Sequence, residues 1–251
     1  MILIQSTVWC PAGHDTRFQR ILEHLQQFKE DPRYNVFVVV NECNNHPELQ
    51  KMSFPANVHF HFEPENKGWA WARNGGRNKA VQDEYEYLIE MDCDIVVTEE
   101  DWIDQIIHAF TFAPVFMCRV PEPQNCRKWI SPDNITWEMY DEWVGNISCF
   151  KVSCLTEIGG YNFIDCPKEW GFADPLMGRQ LTKLNFFPMF PAGYPSLPIA
   201  QTAPHDPEYH YNTQPKKNQL IGQDVEKFHR LSAEVLSGRN LHYFDPKMGW
   251  E

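Results

Sequence analysis

Two aspartates behind an apolar run are the residues of this chain best suited to chemistry. Asp92 and Asp94 end the stretch YLIEMDCD, whose first part is typical of a buried strand. Side chains alternate faces along a strand, so we expect the two carboxylates on the same side. Such a pair repels itself unless a cation lies between its members, and carboxylate oxygens suit Mg²⁺ or Mn²⁺. The pair predicts a divalent metal site, with two solvated loop carboxylates as the alternative.

The elements that must position these aspartates follow an α/β pattern. Strands are predicted over residues 3–9, 35–41, 57–63, 87–92, 114–120 and 147–153. Helices are predicted over residues 15–30, 100–110, 154–160, 174–184 and 223–236, and another ends near residue 83. The alternation indicates a Rossmann-like, doubly wound, mainly parallel sheet with helices on both faces. Such sheets bind ligands at the carboxyl ends of their strands, which is where the aspartates lie.

Composition narrows the class of protein. With 251 residues, 43% hydrophobic and 22% charged, we expect one globular domain over residues 1–251. The net charge of −12 argues against a broad basic surface for nucleic acid. Eight cysteines without a CxxC pair indicate free thiols in a reducing compartment. The start, MILIQSTVW, lacks the features of a signal peptide or transmembrane anchor, so the expected location is cytoplasmic, soluble and intracellular.

Four motifs occur in an order that resembles a known family. NKGWAWARNGG, EMDCD, IGGYN and WGFADPLMGRQL resemble the GT-A glycosyltransferases, in particular the family-2-like nucleotide-sugar enzymes, over about residues 2–190. The resemblance implies the GT-A fold and Mn²⁺- or Mg²⁺-dependent transfer of a hexosyl or pentosyl group from a nucleotide-sugar donor to an acceptor hydroxyl. It also implies a donor- and metal-binding half, about residues 1–120, and an acceptor-binding half with the C-terminal segment, about residues 121–251.

The resemblance further implies which residues contact the donor. These are Ser6, Thr7, Trp9, Asn41, Glu42, Asn66, Gly68, Arg73, Asn74 and Asp92. Arg73 would contact phosphate or hold Asp92 in position, while a structural ion pair for Arg73 and a helix cap for Asn74 remain open. Asn41 and Glu42 stand where the family usually has an acid that grips the base, so the nucleotide is not identified.

On the same resemblance, Asp92 and Asp94 hold the metal and a late histidine completes the site. His205, in the segment PHDPEYH, is the candidate. Asp174, in WGFADPLMGRQL, would take the proton of the acceptor, which would invert the anomeric centre; Glu169 is the reserve candidate. An aspartate is also a good N-cap, and this is the alternative role for Asp174.

The acceptor is the least defined partner. Candidate acceptor-stacking residues are Trp129, Trp137, Trp143 and Trp170. A glycan or small molecule ranks first, and a hydroxymethylated base in nucleic acid, such as modified DNA, ranks second. Two other functions stay open: a nucleotidyltransferase acting on a sugar phosphate, which uses a similar acid pair, and a non-catalytic nucleotide-sugar-binding domain. The latter is favoured by Ala173, which replaces the family's common second acid.

Overall fold

The structure is a computed structural model that describes residues 1–10, 15–43, 46–97, 100–118, 126–130, 136–140, 143, 147–162, 173–186, 189–191, 201–202, 227, 229–235 and 237. Its strands are β1 (Ile2–Cys10), β2 (Tyr34–Cys43), β3 (Val58–Glu63), β4 (Tyr87–Asp92), β5 (Ile95–Val96), β6 (Val115–Met117), β7 (Cys126–Ile130), β8 (Thr136–Tyr140), β9 (Ile147–Lys151), β10 (Met189–Pro191) and β11 (Gln201–Thr202). Its α-helices are α1 (Asp15–Gln26), α2 (His46–Leu49), α3 (Trp69–Gln82), α4 (Trp102–Ala109), α5 (Leu155–Ile158) and α6 (Ala173–Lys183), and a 3₁₀ turn spans Val152–Cys154.

A six-stranded sheet forms the centre, in the order β3-β2-β1-β4-β9-β6. Strands β1 to β4 pair in parallel, whereas β9 is antiparallel to both of its neighbours, β4 and β6. Five of the six strands therefore run in one direction. The predicted α/β architecture with a mainly parallel sheet is confirmed.

Helices cover both faces of this sheet, as the sequence predicts. On one face, α1 and α4 pack on alternate residues of the strands, through side chains such as Phe18, Ile21 and Ile103. On the other face, α3, α5 and α6 form a second core with Leu3, Val39, Ala72, Leu155 and Leu176. Because both faces are covered, β1 and β2 are almost continuously apolar and buried, which is typical of central parallel strands.

Several boundaries and two small sheets differ from the sequence prediction. The stretch after residue 121, in which no regular structure was expected, contains β7 and β8, which pair with β10 in a three-stranded antiparallel sheet. Strand β5 pairs with β11, so the chain near residue 201 returns to the turn after β4. These strands are two to five residues long, and pairing with distant segments, rather than apolar periodicity, defines them. Of the predicted helix 223–236, residues 229–235 are helical.

The sequence also predicts free thiols and no transmembrane anchor. The cysteines assigned within the described residues are free: Cys10, Cys43, Cys93, Cys118, Cys149 and Cys154. Among the described residues, no helix has the length and apolar character needed to cross a membrane.

Candidate active site

Polar side chains gather where β1, β2 and β4 end. Trp9 stands at the end of β1, Asn41 and Glu42 at the end of β2, and Asp92 is the last residue of β4. In the parallel register, Asp92 lies opposite Thr7 of the neighbouring strand. This is the sheet edge at which a doubly wound fold binds its ligands.

Asp92 is held by two side chains from the first turns of α3. Arg73 Nη2 lies 2.5 Å from Asp92 Oδ1, and the indole nitrogen of Trp69 lies 3.5 Å from the same oxygen. The Arg73 guanidinium lies 5.0 Å from the centre of the Trp69 ring. The Asp92 side chain is 30% exposed, whereas the Arg73 side chain is fully buried. The Asp92 carboxylate is therefore partly open to solvent, with the buried guanidinium of Arg73 against it.

Asp94 occupies a different position from the one predicted by strand alternation. Strand β4 ends at Asp92, and Asp94 lies in the turn that leads to β5. The two carboxylates, one residue apart along the chain, still interact: after burial and Arg73, the charge of Asp94 also acts on the pKa of Asp92 and raises it. Burial is the main cause of that rise, to about 6, and Arg73 opposes it. A turn after the strand thus gives the carboxylate pair that the sequence suggested, by another geometry.

The loop before α3 is fixed by amide contacts. Asn41 donates to Asn66 Oδ1 at 3.0 Å and accepts from the backbone N–H of Lys67 at 2.8 Å, while Asn66 Oδ1 accepts from Gly68 N at 2.8 Å. Gly68 has φ 97°, a conformation that favours glycine. Asn41 is 1% exposed. The Asn41 side chain therefore holds the loop in place. Glu42, the next residue, is more accessible to a ligand than Asn41.

Trp9 and Glu42 form one wall of the site. The Trp9 indole N–H donates to Glu42 Oε2 at 3.2 Å, and Arg17 of α1 donates from Nε to the Trp9 carbonyl at 2.6 Å. The Arg17 guanidinium lies 5.2 Å from the centre of the Trp9 ring. Glu42 has φ 60°, which is uncommon for a residue with a side chain and costs backbone energy. Strained residues of this kind cluster at binding sites.

Behind Asp92, charged side chains of β4 and α3 alternate in the core. Arg77 Nε donates to Glu90 Oε1 at 2.7 Å, and Arg73 Nη1 lies 3.7 Å from Glu90 Oε2. Tyr161 donates its hydroxyl to Glu90 Oε2 at 2.8 Å. Arg73, Arg77, Glu90 and Tyr161 are each 0% exposed. Burial alone would lower the pKa of both arginines, but their carboxylate partners raise it above the ordinary value, so both stay charged.

Asn74 has a structural partner. Its amide donates to the carbonyl of Tyr161 at 2.9 Å and accepts from the Tyr161 N–H at 2.7 Å. A Cβ on Gly160 would lie 2.7 Å from Asn74 Oδ1, so glycine lets the two segments meet. These contacts tie the IGGYN segment to α3 and favour a structural role for Asn74 over the predicted contact with the donor.

Asp174 lies in the first turn of α6 and is half-buried. Its charge contributes to the raised pKa of Arg73 and of Tyr161, after the larger effects of burial and of nearer acids. Arg73 is therefore bonded to Asp92 and lies within electrostatic range of Asp174.

Ser6 and Thr7 lie beneath the sheet edge, with exposed fractions of 0% and 7%. Ser6 Oγ lies 2.9 Å from His24 Nε2, and Thr7 accepts a hydrogen bond from Gln5. Their contacts are with the protein, so at the end of β1 it is Trp9 that reaches the surface of the site.

The predicted acceptor-binding residues have different outcomes. Trp143 is 2% exposed and packs on Phe150, with ring centres 5.6 Å apart. Its prediction as an exposed acceptor-binding residue is wrong, because α6 covers it: a Cβ on Gly178 would lie 3.0 Å from Trp143 Cβ. Trp129 and Trp137 are paired in β7 and β8, where the backbone alone is described. Glu169, Trp170 and His205 lie outside the described residues.

Three functional candidates were not found from the sequence. Trp69 contacts Asp92, Glu90 lies behind Arg73, and His24 lies beneath Ser6. A signal for Glu90 exists in the sequence, because a charged residue within the apolar run YLIEM must be paired if the strand is buried.

Two of the described residues, Asp92 and Asp94, are suited to bind a divalent cation. No group of three or more histidine, cysteine or acidic side chains suited to a metal occurs among the described residues. Mg²⁺ and Mn²⁺ do not require one, because they bind through one or two carboxylates together with water and substrate phosphates. Asp92 and Asp94 provide such hard oxygen ligands at the edge of the sheet.

Comparison with known proteins is consistent with this geometry. The sequence model for glycosyl transferase family 2 matches residues 16–167, more than half of the chain. No curated protein sequence matches the chain.

Solved structures share the fold at low identity. GalNAc-T7, in a crystal structure with UDP, GalNAc and Mn²⁺, is 11% identical to this chain, with a TM-score of 0.55. The match covers 76% of this chain and 42% of the GalNAc-T7 chain. The mannosyltransferase PcManGT from Pyrobaculum calidifontis, in complex with GDP-Man and Mn²⁺, is 15% identical with TM-score 0.53 over 96% of this chain and 70% of its own. S. aureus TarS 1–349 is 14% identical with TM-score 0.54 over 95% of this chain and 70% of its own. These similarities confirm the predicted GT-A fold.

Proposed function

Because this chain belongs to glycosyl transferase family 2 and is a glycosyltransferase, we propose that it transfers a hexosyl or pentosyl group from a nucleotide-sugar donor to an acceptor hydroxyl, with a divalent cation and with inversion. One observation carries the proposal. The carboxylate pair Asp92 and Asp94 stands at the carboxyl end of β4, where doubly wound sheets bind nucleotides, with Arg73 directly behind Asp92.

Asp92 and Asp94 would hold Mn²⁺ or Mg²⁺ together with the donor diphosphate. When bound, such a cation neutralises the charge that develops on the diphosphate leaving group. His205 is the proposed third protein ligand. The position of β11 supports this, since Thr202 pairs with Ile95, the residue after Asp94, and β11 runs towards the Asp94 end of β5.

Arg73 would keep Asp92 ionised and oriented. Its guanidinium bonds directly to the carboxylate that would face the cation, and its buried position fixes that geometry. This supports the second of its two predicted roles, in which it positions Asp92 rather than binding phosphate.

Asp174 is the proposed general base. Its half-buried place at the start of α6, within electrostatic range of Arg73, supports this role. A carboxylate there would accept the proton of the acceptor hydroxyl as that oxygen attacks the anomeric carbon from the side opposite the diphosphate. Glu169 stays the reserve candidate for this role.

Trp9 and Glu42 would bind the nucleoside part of the donor. The indole ring and a carboxylate at the ends of β1 and β2 offer a stacking surface and a hydrogen-bond acceptor. The related structures contain UDP and GDP-Man, so uridine and guanosine donors are the first to test. For the acceptor, the net charge of −12 favours a glycan or small molecule over a modified nucleic-acid base.

Thermal unfolding in the presence of candidate donors tests this function. UDP-, GDP-, CMP- and ADP-sugars are each added with Mn²⁺, Mg²⁺ or chelator. A donor present at a hundred times its dissociation constant raises the free energy of unfolding by about 2.7 kcal/mol. We expect one donor to raise the melting temperature in a metal-dependent manner, and this rise to disappear in Asp94→Asn.

Asp104→Asn is the matched control. Asp104 lies on α4, is 65% exposed and pairs with Arg33, just before β2, at the other end of the strands. It should keep the donor-induced shift. A metal-dependent shift with nucleoside triphosphates alone would favour the nucleotidyltransferase, and a donor shift without transfer to any acceptor would favour a non-catalytic binding domain.

A further inference from the structure

The residue behind the proposed metal carboxylate belongs to a buried row of alternating charges, the charge ladder Arg77, Glu90, Arg73 and Asp92. Glu90 and Asp92 are two residues apart on β4 and so share a face, while Arg73 and Arg77 are four apart on α3 and share a side. Packing α3 on β4 therefore interleaves two acids with two bases.

Distances along the ladder show how it is held. Arg77 lies 2.7 Å from Glu90, Arg73 lies 3.7 Å from Glu90 on one side, and Arg73 lies 2.5 Å from Asp92 on the other. The first three members are completely buried, and Asp92 alone reaches solvent, at 30% exposure. The ladder thus has a closed end in the core and an open end at the site.

Glu90 is the acid that both arginines share. Its Oε2 also accepts from the Tyr161 hydroxyl at 2.8 Å, and Arg77 donates from Nη1 to the Gly159 carbonyl at 2.5 Å. The Tyr161 ring meets the Trp69 ring edge-on at 4.9 Å, and the Trp69 indole nitrogen lies 3.5 Å from Asp92. Two routes, one ionic and one aromatic, therefore connect Glu90 with Asp92.

We propose that Glu90 is a positioning residue of the transferase site: it fixes Arg73 so that Arg73 orients Asp92 towards the cation. This inference rests on the proposed function. A buried ion pair gains little stability over apolar packing, because desolvation offsets its attraction. Stability therefore does not explain why the ladder ends on a partly exposed carboxylate at the ligand-binding edge. Holding that carboxylate in a fixed orientation does explain it.

The test compares three variants of the whole chain. Glu90→Gln removes the charge and keeps the shape, and Tyr161→Phe removes only the hydroxyl bonded to Glu90. Tyr34→Phe is the matched control. Tyr34 is a buried residue at the start of β2, at the opposite end of the sheet from the site, and its hydroxyl hydrogen-bonds to the backbone of Lys29. Mn²⁺ binding is measured from the electron paramagnetic resonance of free Mn²⁺, with saturating UDP or GDP.

We expect Glu90→Gln to weaken Mn²⁺ binding by about fivefold to tenfold, because Glu90 acts through Arg73 and a residue bonded directly to a metal ligand typically contributes about tenfold or more. Tyr161→Phe should weaken it by about threefold, since it removes one neutral hydrogen bond. Tyr34→Phe should bind Mn²⁺ as the wild type does, whatever its stability. In a transfer assay, the Mn²⁺ concentration for half-activation should rise by the same factors, with kcat recovered at saturating Mn²⁺.

The outcomes separate this inference from the function on which it rests. A wild type that binds Mn²⁺, together with folded Glu90→Gln and Tyr161→Phe variants of unchanged affinity, would overturn the positioning role alone. If Glu90→Gln does not fold, the Tyr161→Phe result decides: a loss of affinity supports the role, and wild-type affinity overturns it. A wild type without Mn²⁺-dependent nucleotide binding would overturn both proposals.

Discussion

His24 of α1 is completely buried beneath the site, and we predict that its protonation limits stability in mild acid. Its Nδ1 lies 2.6 Å from the carbonyl oxygen of Ile95, to which it donates, so Nε2 accepts from Ser6 Oγ at 2.9 Å in the neutral ring. Burial lowers the pKa of His24 from 6.5 to about 4, opposed by the Ile95 carbonyl and the charge of Asp94. The folded protein therefore keeps the ring neutral at pH values where the unfolded chain protonates it.

The sign and size of the effect follow from these two pKa values. Between pH 6.5 and pH 4 the unfolded chain binds the proton and the folded chain does not, so stability falls as the pH is lowered. The contribution of His24 is complete above pH 6.5. From pH 7.5 to pH 5, the loss is about 2 kcal/mol, and below pH 4 it approaches about 3 kcal/mol.

The assay is urea unfolding of the wild type and of His24→Gln at pH 7.5 and pH 5, with chelator present to keep metal from the site. The wild type should lose about 2 kcal/mol more than the variant over this range. The other titrating groups are common to both proteins, so the difference isolates His24. Equal losses in the two proteins would refute the reasoning, because His24 would then have the same pKa in the folded and unfolded states.

Three further predictions concern other parts of the site and core. Asp174→Asn should lower transfer by about a hundredfold or more with donor binding retained, as measured by kcat and by donor-induced melting shifts; unchanged kcat would assign Asp174 a capping role. Gly76→Ala should destabilise the fold by about 1–3 kcal/mol in urea, because the new Cβ would lie 2.2 Å from Gln5 Cγ; a stability equal to the wild type would show that α3 can move away from β1. Trp143→Phe should cost about 1–3 kcal/mol and leave the KM for the acceptor unchanged, since Trp143 is a core residue; a raised KM would return it to the acceptor site.

The sequence was sufficient to predict the sheet and the main edge of the site. Strands such as β2 are continuous β-branched runs, and this pattern has few alternatives at that length. The order of strands and helices then predicted where Asp92 would lie. The reversal of β9 was not predictable, because strand direction depends on how the chain returns and not on the apolar character of ISCFK.

The contacts within the site were harder to predict. The alternation rule assumed that the strand continued through Asp94, but β4 ends at Asp92 and a turn begins. Trp143 was expected to be exposed because its surroundings in the sequence are irregular, whereas the packing of α6 determines its burial. Tyr161 and Glu90 are 71 residues apart along the chain, and no local pattern reports their hydrogen bond.

The reversed strand β9 has a consequence for how this enzyme could diversify. Met117, at the end of β6, pairs with Ser148, and Ile147, at the start of β9, pairs with Met91 next to Asp92. The chain segment between residues 118 and 146 therefore leaves and re-enters the sheet at the edge that carries Asp92. Both attachment points of this segment are therefore fixed by the sheet. We therefore expect changes in the length and sequence of this segment to leave the register of the strand that carries Asp92 unchanged.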